Sequence, residues 1–187
     1  MRGFTLLEVL ITMVVLAIGL LGLASLQSKV QLSQIESYQR AQAVLLLEDM
    51  LARINANRGQ AAAYITTTPL GTNDGLSAVC GSTPGSAQDR CEWSNALKGA
   101  AESITEGGVT RATGAMANAR GCIQQVQARN AAAGVCQPGI YQVTVVWQGM
   151  TRTVEPPVLC GTAAQYGGTG YRRAVTGQTI IGLNDCN

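Results

Sequence analysis

From Val9 to Ser28 the chain reads VLITMVVLAIGLLGLASLQS and holds no charged residue. Of the 23 residues between Phe4 and Leu26, 17 are apolar. At about 1.5 Å of rise per helical residue, about 20 residues cover the roughly 30 Å hydrocarbon core of a bilayer. No other feature limits the fold so strongly, because a helix apolar all round must meet lipid or other apolar surfaces. Proline is absent before Pro69. Gly19 and Gly22 lower helix propensity, but small residues suit close helix packing in membranes. Arg2 precedes the run and predicts a cytoplasmic N-terminus.

Three readings compete for this segment. A secretory signal would end after Gly22-Leu23-Ala24, where small residues stand at the right places. A plain membrane anchor is the second. The third starts from Glu8. A carboxylate near the start of an apolar helix is expensive, and an acid at membrane depth is a functional hypothesis by default. A plain anchor has no use for it.

Gly3-Phe4-Thr5-Leu6-Leu7-Glu8-Val9-Leu10, followed by the uncharged run, resembles the prepilin signature of type IV pilins and type II secretion pseudopilins. The resemblance implies that a prepilin peptidase cuts after Gly3 and removes residues 1–3 as a leader. Phe4 then becomes the N-methylated first residue and Glu8 the fifth. The new amine at Phe4 lies one turn from the Glu8 carboxylate. In a water-poor filament core an unpaired charge costs several kcal/mol. Pairing Glu8 of one subunit with the Phe4 amine of a neighbour therefore rewards the correct axial register. Major pilins commonly carry a proline about a third of the way along this helix. Ser25 stands at that place here, which points to a minor pilin. The cysteine-bearing C-terminal part, Gly121-Cys122-Ile123 and the segment Tyr141–Trp147 are similar to the PilV type of minor pilin.

The resemblance implies an α+β fold, with a long N-terminal pilin helix on a small antiparallel sheet. It implies a non-enzymatic protein without a cofactor, whose partners are the peptidase, the major pilin, other minor pilins and the inner membrane. Such a protein spans the inner membrane once, faces the periplasm, and primes pilus assembly before taking a place at the pilus tip. The competing assignment is a minor pseudopilin of a type II secretion system. Residues 4–28 would form the membrane and filament-core half of the helix, and 29–58 an amphipathic half.

In that second half Val30, Ile35, Tyr38, Ala41, Leu45, Met50, Leu51 and Ile54 recur near helical spacing, with Leu47 joining the last turns. Glu36 with Arg40, and Asp49 with Arg53, are spaced as i,i+4 pairs on a solvated face. Gly59 follows Arg58 and suits a helix stop. A helix from Thr5 to Arg58 would be roughly 80 Å long.

Residues 60–187 form the expected periplasmic globular domain. They hold 18 of the 22 glycines, all five prolines and all six cysteines: Cys80, Cys91, Cys122, Cys136, Cys160 and Cys186. No Cys-x-x-Cys motif is present, which argues against zinc-ribbon and thioredoxin-type sites. An even count beyond a membrane segment implies an oxidising compartment and disulfides. Of the fifteen possible pairings, the sequential one closes three short loops: Cys80–Cys91, Cys122–Cys136 and Cys160–Cys186. Ser94 to Ser103 reads as a short helix capped by Ser94. Ile140 to Gln148 is the clearest strand, with Tyr141, Val143, Val145 and Trp147 on one face. Residues Gly121–Ala128 would pair on one side of it, and Met150–Glu155 would return as a partner on the other until Pro156-Pro157. The tail from Cys160 would wrap back as an irregular loop.

Candidates for chemistry are few. The chain has no histidine, which removes Ser-His-Asp and Cys-His catalysis and every His-containing zinc site. Glu102 and Glu106 read as a solvated helix face. Gly167-Gly168-Thr169-Gly170 lacks the Gly-Lys-Ser/Thr ending of a P-loop and reads as a turn. Arg172-Arg173 reads as a surface pair, and Trp93 and Trp147 as core. Asn184 and Asp185 offer two oxygens, far short of a calcium site. Eight basic and seven acidic residues in 60–187 give no support to nucleic-acid binding.

Overall fold

The structure is a computed structural model and describes residues 3–100, 102–106, 108–112, 114, 116–132 and 134–183. The chain divides into two compact units, Met1–Ser37 and Tyr38–Asn187. Helix α1 (Leu6–Ala56) supplies the regular structure of the first unit and opens the second. It carries no proline. In the first unit no described side chain is buried.

The second unit is built on a four-stranded antiparallel sheet. In chain order its elements are the last turns of α1, a 3-10 helix (Arg58–Tyr64), β1 (Leu70–Gly71), α2 (Ser86–Leu97), the hairpin β2 (Ser103–Glu106) and β3 (Val109–Ala112), then β4 (Arg120–Gln127), β5 (Gly139–Gln148) and β6 (Arg172–Ile181). The sheet order is β1-β4-β5-β6. The alternation that reads as a strand in the sequence places Tyr141, Val143, Val145 and Trp147 in the core, together with Ile123 and Ile181. Against that face pack Ala43, Leu47, Met50, Leu51 and Ile54 of α1, and Trp93 and Leu97 of α2. Trp93 is fully buried, and its indole N–H donates to the Leu46 carbonyl at 2.8 Å. At Gly121 a Cβ would fall 2.0 Å from the Trp93 ring, so glycine is what lets the ring lie against β4.

Several expectations are corrected. Of the helix face read from spacing, Tyr38, Ala41 and Leu45 are exposed, while Gln39 and Ala43 are buried. The sheet covers only the last turns of α1, and the buried positions 43, 47, 50, 51 and 54 make one narrow stripe. The second helix begins at Ser86, just after Pro84-Gly85, and not at Ser94. Ser94 lies inside that helix, fully buried, and its hydroxyl donates to Asp74.

The partner of β5 is β6, paired over ten residues from Gly139↔Ile181 to Gln148↔Arg172. Residues 150–155 form no strand. That segment is cut short by Pro156-Pro157, whereas β6 matches β5 in length. The tail expected to be an irregular loop thus supplies a full strand. The intervening chain folds onto the outer sheet face, where Cys122, Val146, Cys160 and Tyr166 make a second small core.

Cys80 and Cys91 are bonded as the sequential reading has it. Cys122 is bonded to Cys160 and not to Cys136. The register explains why. Cys122 faces Thr144, while Cys136 lies beyond the Asn130–Gln137 bridge at the far end of the hairpin. Strands rise about 3.3 Å per residue, so these two Cα atoms exceed the roughly 7 Å limit for a disulfide. The expected Cys160–Cys186 bridge falls with it, since Cys160 is taken. Cys136 is disulfide-bonded, and Cys186 lies outside the described residues.

Candidate functional site

Thr5 starts α1. The Glu8 amide donates to the Thr5 hydroxyl at 3.4 Å and to the Thr5 carbonyl at 3.1 Å. Thr-x-x-Glu is the spacing of a capping box, and here the hydroxyl half of it is formed. This local role of Glu8, beside the charge from which the motif is read, is visible in the sequence as the Thr5-x-x-Glu8 spacing. Glu8 sits in the first turn, where unpaired amides and the helix dipole favour a negative charge by a few tenths to about 1 kcal/mol. Its carboxylate is exposed and has no hydrogen-bond or ion-pair partner among the described residues.

Phe4 precedes the cap and is 84% exposed. A Cβ placed on Gly3, Gly19 or Gly22 would meet nothing within 4 Å. None of these glycines therefore answers a steric need inside the chain. The hydroxyls of Thr12 and Ser28 donate back to the Val9 and Ala24 carbonyls, at 2.8 and 3.2 Å. This satisfies them within the helix, as an apolar solvent demands. What the run presents outward is an unbroken apolar surface from Val9 to Leu26. Among the described residues, α1 is long and apolar enough to cross a membrane.

The other candidates resolve into structural roles. Arg53 pairs with Asp49 at 3.1 Å, as its spacing suggests, and also with Asp89 at 3.0 Å and Glu92 at 2.7 Å from α2. Burial works against the Arg53 charge, but the three carboxylates outweigh it and raise its pKa. The Tyr64 hydroxyl donates to Asp89, and burial followed by this bond pushes its pKa up. This knot ties α1, α2 and the 3-10 helix together. Asp74 is 3% exposed at its side chain and receives Lys98 at 2.6 Å, the Ser94 hydroxyl, and the Gly71 and Leu76 amides. Burial alone would raise this carboxyl, and these donors together hold it below its ordinary value.

Glu102 and Glu106 share no helix. Glu102 accepts the Tyr38 hydroxyl at 3.0 Å, and Glu106 ends β2 opposite Val109. Arg172 is a buried partner of Glu155, at 3.4 Å, and not a surface cation. Arg173 donates to the Thr151 carbonyl and the Thr153 hydroxyl, each at 2.7 Å. Residues 167–170 form turns after the 3-10 helix Ala163–Tyr166, with Gly167 in the left-handed region. Trp93 and Trp147 are core residues. Asn184 and Asp185 lie outside the described residues. Among the described residues no group of three or more His, Cys, Asp or Glu is placed to hold a metal.

Residues 1–24 match the family described as the prokaryotic N-terminal methylation motif. The match supports a type IV pilin-like or pseudopilin-like protein, and with the apolar helix it fits a single-pass inner-membrane anchor. No curated protein and no solved structure matches the chain.

Proposed function

We propose that the chain is a minor type IV pilin of the PilV type, which primes assembly of the filament and takes a place at its tip. The observation that carries this reading is the motif Gly3-Phe4-Thr5-Leu6-Leu7-Glu8 at the exposed start of an uncharged helix. Prepilin peptidase cuts after Gly3, and Phe4 receives the methyl group. The Gly3–Phe4 segment is exposed, which such a cut requires. The apolar run then holds the protein in the inner membrane, with residues 60–187 in the periplasm, until it enters the filament. Inside the bundle Glu8 meets the Phe4 amine of the next subunit and fixes the register. Ser25, at the position of the major-pilin proline, supports the minor role.

Mass spectrometry of the mature N-terminus tests the processing. The expected result is a chain that begins at N-methylated Phe4. A chain that begins at Ser25 would overturn the reading in favour of a secreted protein. Deletion of the gene separates the two assembly systems. Loss of surface pili and twitching is expected, whereas loss of exoprotein secretion with pili intact would assign a pseudopilin. Glu8→Ala is expected to insert and be processed, yet to be several-fold depleted from sheared pili by immunoblot. Normal incorporation would remove Glu8 from the register role.

A further inference from the structure

Arg58 opens the 3-10 helix that follows α1. At the other side of the same region, β4 slips register between Gln125 and Gln127 and ends there. Arg129 comes two residues later. Immediately after it, Asn130 and Gln137 exchange backbone hydrogen bonds, both at 2.9 Å, and close the β4–β5 connection. The Gln127 side-chain amide adds a bond to the Pro138 carbonyl at 2.8 Å. The backbone carrying Arg129 is thus pinned on both sides.

Arg58 and Arg129 line one cavity of about 260 Å³, together with Gln125, Gly139, Tyr141 and Ile181. Among the described residues no Asp or Glu lines it. Neither arginine has an ion-pair or hydrogen-bond partner among the described residues. Tyr141 is almost wholly buried, and its hydroxyl accepts from the Gln125 amide at 3.2 Å. The hydroxyl proton is therefore available to donate. A Cβ at Gly139 would lie 3.5 Å from Arg129 Cβ and 3.6 Å from the Tyr141 hydroxyl oxygen. Glycine there keeps open a space that both side chains flank. Arg58 and Arg129 are both exposed, so their long side chains are free to turn their guanidiniums toward the mouth of this concavity. Guanidinium forks match the oxygens of carboxylate and phosphate, and these charge-assisted bonds are the strong ones.

We infer that this cavity is an oxyanion-binding site, in which Arg58 and Arg129 hold a phosphate or carboxylate group and the Tyr141 hydroxyl supplies a further donor. Its volume of about 260 Å³ lies below the usual range for ligand pockets, so it takes one small headgroup. Free phosphate and an acidic side chain of another protein share that chemistry. The site stands on the second unit alone and does not depend on the pilin reading.

The test uses the full, ¹⁵N-labelled chain in neutral detergent micelles, titrated with inorganic phosphate at constant ionic strength. Saturable shifts of the Gln125, Gly139 and Tyr141 amides are expected. Loss of one charged hydrogen-bonding partner is expected to weaken binding about tenfold in Arg58→Gln and in Arg129→Gln. Arg152→Gln, at an exposed arginine outside the cavity, is expected to leave binding unchanged. A second arm titrates a short neutral peptide bearing one glutamate. Competition with phosphate for the same amides supports the site, and the tighter of the two names the source of the anion. Shifts that never saturate, that chloride reproduces, or that persist at full strength in both arginine variants would overturn the inference.

Discussion

Gly121 and Gly177 occupy the same face of the sheet, yet they answer to neighbours of different stiffness. A Cβ at Gly121 would lie 2.0 and 2.4 Å from two atoms of the Trp93 ring. That ring is fully buried and tethered to the Leu46 carbonyl, so it has nowhere to go. A Cβ at Gly177 would meet Leu51 Cδ1 at 2.8 Å and Leu47 Cδ2 at 3.3 Å, the ends of flexible side chains. Overpacking a core costs roughly 1–3 kcal/mol. Gly121→Ala is expected at or above the top of that range by urea unfolding, and Gly177→Ala below about 1 kcal/mol. A Gly177 variant that proved the more damaging would refute this account of the two contacts. Neither glycine could be told from a turn glycine in the sequence, because what demands it stands far away in the chain. The N-terminal motif is the opposite case. The motif over residues 1–24 is legible because its signal is local spacing. Asp49 and Arg53 are half legible: the i,i+4 pair is there, but Asp89 and Glu92 reach Arg53 only once α2 has docked.

At the level of elements, β5 was open to the sequence because strict alternation with Tyr, Val and Trp has no other good solution. Its partner was not. The nearest downstream segment, 150–155, loses to β6 because ten register-matched pairs outweigh a short loop closure, whose cost grows only slowly with length. The chain between β5 and β6 is then free to fold on the outer face. There the Cys122–Cys160 bridge, the Tyr166 hydroxyl on the Cys160 carbonyl at 2.8 Å, and Arg172 with Glu155 hold it. The bridge spans 38 residues and Cys80–Cys91 spans 11. Loop-entropy arguments give about 4 kcal/mol for the longer and about 3 kcal/mol for the shorter. The paired replacement Cys122→Ser with Cys160→Ser is therefore expected to cost about 4 kcal/mol in denaturant. It should also expose the Thr153 and Gly168 amides, which bond to the Gly170 and Ala163 carbonyls, to hydrogen exchange. The β5–β6 amides should keep their protection. Equal loss across the sheet and the loop would show that the bridge staples the whole domain and not one strap.

At the scale of the molecule, apolar residues are sorted into two populations with different solvents. Every buried residue of the described chain lies at Gln39 or beyond, while the apolar side chains from Phe4 to Leu26 are all exposed. The first population needs lipid or other helices, and the second makes its own interior. A domain that buries nothing from residues 1–37 should not need them to fold. A chain that begins at Tyr38, exported to an oxidising compartment, is expected to be soluble and monomeric. The prediction extends to its Cys80–Cys91 and Cys122–Cys160 bonds and to its unfolding free energy in urea, which should lie within about 0.5 kcal/mol of that of the full chain in detergent, the range usual for changes away from a core. It lacks the surface by which a filament would accept it, so it should not co-purify with assembled fibres. Peptide mapping under non-reducing conditions reads the bonds, and sedimentation reads the mass. If the shortened chain aggregated, or formed other bonds, the apolar helix would be part of the domain's own folding. The small core favours the first outcome, because Met50 and Ile54, its fully buried large residues from α1, lie in the last two turns. Those turns stay attached to Trp93, Tyr64 and the Arg53 knot, which hold them in place without help from the apolar run.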